Sequence, residues 1–306
     1  MTPATAAVST ELANALRRPP SPGLLELPHG LHADVPPEVY YARYEGLARH
    51  STLELVLDAP ALARAWYDGA DDETTPALEF GTALHMAALE PERYATTYVV
   101  EPDFGDCRAN KRTGTTKEEG ARNLEARNAW RAAHPGATYL SDDDATRIRG
   151  MVSALRAHPV AGPILQYGAS EVTCRWQDKA TGIECAARAD KWHEDIAGLF
   201  DLKGLEDASW DGFRLASERY GYHRQDAYYR SGWAATRNTV GGFTFVCVRK
   251  RAPHLVGLYE HEPSDIEAGA AANRRALEAM SKALRTGVWP GYQESIQTVK
   301  LRPWAL

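Results

Sequence analysis

Clustered cysteines are missing from this sequence. Its four, Cys107, Cys174, Cys185 and Cys247, are scattered, with no CxxC pair and no companion histidines. A zinc ribbon or an iron–sulfur centre needs clustered thiolates, so neither is expected, and four lone thiols fit a reducing cytoplasm better than a secreted disulfide scaffold. The opening stretch, MTPATAAVSTELANALRR, lacks a basic segment leading into an apolar run, and nothing later is apolar for long enough to span a bilayer. The expectation is a soluble, cytoplasmic protein with no membrane partner. No GxxxxGK[ST] loop occurs, which excludes an ATP motor within the chain. Positive charge is also short: 35 Lys and Arg against 41 Asp and Glu give a formal net charge of −6. That argues against a basic coat around nucleic acid, but it leaves room for a confined basic groove in an acidic molecule. No internal repeat is present.

What is present is an ordinary globular composition, 44% hydrophobic and 25% charged, over 306 residues, enough for a substantial core. Residues 1–36, rich in Ala, Pro and Gly, read as a short helix and an irregular N-terminal arm; 37–290 read as the folded domain and 291–306 as a tail. Helical spacing begins at Ser51 and stops at Pro60, returns over Phe80–Leu89, and recurs near Lys117–Ala133 and Asp142–His158, where Ser141 and Asp144 form a cap signal. The period then changes to two. Glu171–Gln177 and Ile183–Asp190 form a hairpin around a turn at Asp178–Gly182, with Asp190 ending its second strand, and Gly198–Lys203 is a third strand. Helical residues follow over Trp210–Arg237, then strands at Phe243–Arg249 and Leu255–Tyr259, and a closing helix at Ser264–Arg285. This order predicts an α+β (mixed α/β) fold, a central mixed sheet flanked by helices with an N-terminal helical extension.

The chemistry gathers around Asp190 and Asp201-Leu202-Lys203. Strand geometry puts Asp201 and Lys203 on one face, and Asp190 can approach them across the sheet. Two carboxylates and an amine converging on one point are what phosphodiester hydrolysis requires: hard oxygens for Mg²⁺ or Mn²⁺, and an ammonium for the water or the developing charge. The same pattern alone is more often a surface salt bridge. Gly81 and His85 share one helical face, where a glycine lets the helix approach a sheet closely and His85 can reach a metal, although a lone histidine is more often structural. Tyr222, Gln225 and Tyr229 form one polar-aromatic stripe, read either as an amphipathic helix or as a face on the DNA backbone. Arg108, Lys111, Arg112 and Lys117 concentrate in a Gly-containing loop that reads equally as a solvated loop or as a grip on a DNA phosphate.

In combination these motifs resemble a known family. GTALHMAALEPERY (Gly81–Tyr94), EVTCRWQDKATGIECAARADKW (Glu171–Trp192), LFDLKGLEDASWDGF (Leu199–Phe213) and YGYHRQDAYYRSGW (Tyr220–Trp233) are similar to the RecB-like branch of PD-(D/E)xK nucleases, and more closely to the RecE-type exonuclease VIII proteins of phages and prophages. The resemblance covers roughly Val35 to Arg285, with Ala189 in place of the proline that names the motif and Arg49 where relatives often carry serine. It implies a restriction-endonuclease-like core and a metal held by Asp190, Asp201, the Leu202 carbonyl and His85. It further implies Lys203 as the catalytic lysine, Gln225 and Tyr229 as a QxxxY helix, and Glu171 as a second-metal or water contact. The implied activity is an ATP-independent exonuclease, 5′-to-3′ on linear duplex DNA, in recombination within a bacterial host, with a single-strand annealing (RecT-like) partner and a ring of copies. The alternatives are a CRISPR-adaptation-type or restriction-like nuclease on the same core, and a catalytically silent DNA-binding recombination protein.

Overall fold

Alternation along the strands produces a sheet with two apolar faces, and each face is covered by helices. The computed structural model describes residues 23–70, 75–237 and 241–300, so the short helix expected at the start of the chain lies outside the described residues. The described elements begin with β1 (Gly30–His32), α1 (Pro37–Tyr41), β2 (Leu47–Ala48), α2 (His50–Asp58) and α3 (Pro60–Tyr67). The next group is α4 (Pro76–Leu89), α5 (Pro91–Thr97), β3 (Tyr98–Val100), α6 (Lys117–Ala132), β4 (Thr138–Leu140), α7 (Asp142–Ala157) and α8 (Ala161–Gln166). The chain then runs through β5 (Ala169–Gln177), β6 (Glu184–His193), β7 (Gly198–Leu205), α9 (Trp210–Tyr220), α10 (Tyr222–Arg237), β8 (Phe243–Arg249), β9 (Val256–Tyr259) and α11 (Pro263–Thr286). Several boundaries have evident causes. Proline at the first helical position opens α3, α4, α5 and α11, where its missing N–H costs nothing. Ser141 and Ser209 cap α7 and α9 by accepting from backbone N–H groups.

The main sheet runs β1-β5-β6-β7-β8-β9, with β2 attached to β6. It is mixed: β5–β6, β6–β7 and β8–β9 are antiparallel, and β7–β8 and β2–β6 are parallel. One face presents Leu199, Phe243, Phe245 and Cys247 to Leu53 of α2, Tyr228 and Trp233 of α10, and Met280 of α11. The other presents Phe200, Leu202, Val246 and Val248 to Leu84 of α4 and Ile148, Met151 and Leu155 of α7. Burying one such side chain contributes roughly 1.5–3 kcal/mol. The central mixed sheet flanked by helices is therefore present, with α1–α3 as the N-terminal helical extension.

Part of the N-terminal arm is docked. Leu24 is fully buried against Val35, Tyr40, Leu47 and Ala186, and β1 pairs with β5. β6 does not end at Asp190 but continues to His193, because Lys191, Trp192 and His193 pair with Phe200, Leu199 and Gly198 of β7. Those are the only residues over which β6 and β7 pair. At the other end of β6, Glu184 and Cys185 pair with Leu47 and Ala48 of β2. β5 runs the whole length of β6 on its far edge, so β2 and β7 take turns on the near edge. The two strands diverge where Asp190 and Asp201 sit, and the fork they leave is where the candidate site is built.

Candidate active site

Asp190 fills the fork. One of its carboxylate oxygens accepts from the Leu202 N–H of β7 at 2.6 Å, replacing a ladder hydrogen bond that the diverging strands no longer make. The same oxygen lies 3.4 Å from Nδ1 of His85, which α4 brings in across the sheet. The close approach of α4 is made at Gly204, where any Cβ would meet Leu84 at 2.8 Å. Gly81, expected to provide it, has nothing within 4 Å of its would-be Cβ; it faces open space on the side of the helix that carries His85.

Glu171 stands opposite Asp190 in the β5–β6 register, between the pairs Ser170–Lys191 and Val172–Ala189. Its backbone is left-handed, with φ 54°, although it is neither glycine nor asparagine. Such a conformation costs on the order of 1–3 kcal/mol and persists where surrounding structure imposes it. The result is that ligand atoms of His85, Glu171 and Asp190 all lie within 4.8 Å of one another.

Asp201 belongs to a second set. Its Oδ1 accepts from Nε2 of Gln225 on α10 at 2.6 Å, and its Oδ2 lies 2.6 Å from Nζ of Lys203. That Oδ2 is fully enclosed, with the Lys203 ammonium as its charged partner. Lys203 itself sits 4.9 Å from the centroid of the Tyr222 ring, a cation–π contact. Hard carboxylate oxygens with one imidazole suit Mg²⁺ or Mn²⁺, so the residues fit a divalent ion.

A family model described as a PDDEXK-like domain of unknown function (DUF3799) matches residues 50–302. The chain belongs to that family. A comparison with the curated proteins gives no match. Among solved structures, a protein from Eubacterium rectale described as a "Putative exonuclease" is similar with a TM-score of 0.56, covering 89% of this chain and 96% of that one at 11% identity. At that identity the likeness shows the fold. Family and fold together support a nuclease, and a PDDEXK-like domain of this kind generally uses divalent metal.

Within this PDDEXK-like domain the charges around the fork are unequal. Burial alone would depress His85, but the Asp190 carboxylate beside it lifts its pKa to about 9. Burial, then the Asp190 charge, pushes Glu171 up to about 7. Burial would raise Asp190 as well; the His85 charge and hydrogen bond, with Lys203 and the Leu202 N–H, outweigh it and hold Asp190 below the usual carboxylate range. Lys203 is held above its ordinary value because the Asp201 charge overcomes burial.

The remaining expected residues are placed as follows. Tyr229 is buried against Trp233 and Phe243, one turn beyond Gln225, with its pKa raised by burial and by the charges of Tyr40, Asp201 and Asp190. Tyr222 stacks among Phe213, Tyr220 and Phe245 over Lys203. Arg108, Lys111 and Arg112 lie in a loop closed on the Asp106 carboxylate, which accepts from Asn110, Thr113 and Thr115; Lys117 opens α6. None of these four cations hydrogen-bonds or ion-pairs with the fork residues. Cys174, Cys185 and Cys247 are buried, and Cys107 is partly exposed; all four are free.

Several neighbours escape sequence reasoning. Arg188, two residues before Asp190 and hence on its face, lies 3.8 Å from Glu171. His50, which opens α2, is driven down to about 3 by burial and by the positive Lys203 and Arg224. Arg49 is buried and donates to the carbonyls of Tyr40 and Ala42. Period-two spacing from Asp190 could have flagged Arg188; His50 carries no local signal, and Arg49 was visible only as a departure from the resemblance.

Proposed function

We propose that the chain is a metal-dependent, ATP-independent exodeoxyribonuclease that hydrolyses linear double-stranded DNA from its ends, with 5′-to-3′ polarity. The observation that carries this reading is the convergence of His85, Glu171 and Asp190 within 4.8 Å, beside the Asp201–Lys203 pair. These three side chains, with Asp201 and the Leu202 carbonyl, would hold Mg²⁺ or Mn²⁺. When bound, a divalent ion supplies Lewis acidity to the scissile phosphate and makes a bound water more acidic.

The chain's own residues divide the other tasks. Lys203 presents an ammonium that orients the attacking water and meets the negative charge that develops on the phosphate. Gln225 holds Asp201 by one oxygen, which leaves the other turned to Lys203. The Tyr222 ring covers Lys203, and Tyr229 backs the α10 wall. Arg108, Lys111, Arg112 and Lys117 would take phosphates of the DNA backbone, the 5′ end among them. The description of the Eubacterium rectale neighbour and the resemblance to RecE-type proteins favour an exonuclease over an endonuclease. A RecT-like annealing partner, a ring of copies and a place in phage recombination within a bacterial cytoplasm rest on that resemblance alone.

The test is digestion of linear and covalently closed circular duplex with Mg²⁺ and no ATP, using strands labelled at one end. Linear DNA should be consumed, the circle spared, and Asp201→Ala should be inert. Nicking of the circle would show an endonuclease, and inactivity of folded protein with every divalent metal would remove the enzymatic reading.

A further inference from the structure

α1 ends beside the fork with two tyrosines in succession, and they are treated very differently. Tyr40 is buried, whereas Tyr41 is 65% exposed. Their rings meet edge to face at 5.0 Å, with an interplanar angle of 82°. Behind them stands Arg188, which is 5% exposed. Its guanidinium lies 4.1 Å from the Tyr40 ring centroid and 5.8 Å from that of Tyr41, and its Nη1 is 3.8 Å from the Glu171 carboxylate. One side chain therefore spans from the candidate metal ligand to the exposed ring.

The mounting is stiff. Arg188 also donates to the Val35 carbonyl at 2.8 Å and to Thr173 Oγ1 at 3.0 Å. Arg49 ties down the end of α1 by donating to the Tyr40 carbonyl and, at 2.7 Å, to that of Ala42. Two buried arginines thus fix a short helix whose last residue leaves an aromatic ring in solvent. A tyrosine phenol is neutral at ordinary pH. What a rigid, neutral, outward ring binds well is another flat ring.

We propose that Tyr41 is a stacking platform for an unpaired nucleobase adjacent to the scissile phosphate. The proposal rests on the nuclease reading above. Inside a duplex the bases show only their edges; a free π-face is available at a frayed end or in a single strand. The platform would therefore hold the terminal nucleotide after it leaves its partner, and its preference would be tolerant of sequence because every base has such a face.

Kinetics on a single-stranded oligonucleotide, with wild type, Tyr41→Ala, Tyr41→Leu and Tyr41→Phe, test this directly. Alanine and leucine should raise KM by roughly 5- to 100-fold with kcat changed little, and phenylalanine should match wild type. In parallel, an oligonucleotide carrying 2-aminopurine at the terminal nucleotide is bound with Ca²⁺ in place of Mg²⁺, so that stacking is read as quenching of its fluorescence. Quenching by wild type and Tyr41→Phe, lost in Tyr41→Ala, supports the platform. Active wild type with unchanged KM and equal quenching in Tyr41→Ala overturns the platform and leaves the nuclease reading standing. Full rescue by leucine overturns it too, since that side chain offers apolar area without a π-face. A wild type that cleaves nothing sinks the nuclease reading, and the platform falls with it if quenching is also absent.

Discussion

Asp190 and Asp201 lie on neighbouring strands, 9% and 3% exposed, yet their surroundings drive them apart. Asp190 looks toward α4, where His85 and the Leu202 N–H stabilise its charge and hold its pKa down. Asp201 looks toward α10 and Lys203; burial, with the neighbouring Asp190 charge, exceeds the help from the lysine, and its pKa is raised. Similar burial thus gives opposite tendencies, because the partner decides the sign. The pair reads as one side arranged to keep a fixed anion for a metal and another arranged around an amine.

The strongest way to break this comparison is to remove one carboxylate at a time. Asp190→Asn and Asp201→Asn should each lower turnover on the order of 10³-fold or more. Mn²⁺ titration by calorimetry should rank them: both lose affinity, Asp190→Asn the more, because Asp201 already shares its charge with Lys203. Equal losses would mean that the Lys203 pairing does not weaken Asp201 as a ligand. Lys203→Met comes next. Turnover should fall about 10²- to 10³-fold with Mn²⁺ affinity largely retained, and the stranded Asp201 should cost about 3–5 kcal/mol of stability, visible in a denaturant melt.

Gln225→Leu removes the donor to Asp201 Oδ1 and should cost about 10- to 100-fold in activity without unfolding the protein. Unchanged kinetics would show that Lys203 alone positions Asp201. Proton release sharpens the Asp190 side. Without metal at pH 7, His85 carries a proton and Glu171, at about 7, is roughly half protonated. Binding must displace these protons, so Mn²⁺ affinity should rise with pH between 6 and 9, and titrations in buffers of different ionisation enthalpy should show proton release. The smallest effect is expected from Glu171→Gly. Relief of the left-handed backbone should offset the lost contacts and stabilise the fold by about 1 kcal/mol while activity drops. A lower melting temperature would show that the Arg188–Glu171 contact outweighs the backbone term.

Much of the fold was readable because it follows from local rules. The Ser141 cap and helical spacing located α7, and alternation located β5 to β8 within a few residues. Asp201 and Lys203 were readable as neighbours because strand periodicity requires it. The partnerships were less so. That Gln225 bonds to Asp201 depends on how α10 lies on the sheet. That Glu171 adopts a left-handed backbone is dictated by what surrounds it, against its own preference. The expected role of Gly81 failed for a similar reason: a glycine allows close approach without compelling it, and Gly204 is where the helix and sheet meet.

The handover on the near edge of β6 has a consequence for how the molecule is assembled. Leu47 and Ala48 must reach Glu184 and Cys185 before β6 has both of its successive neighbours. Pairings so distant in sequence form slowly, because a long loop has to close before any contact rewards it. A chain that has formed only the β5–β6 hairpin holds Glu171 and Asp190 but neither the strand carrying Asp201 nor β2 at the other end of β6. The candidate site is therefore completed only as a late, whole-chain event.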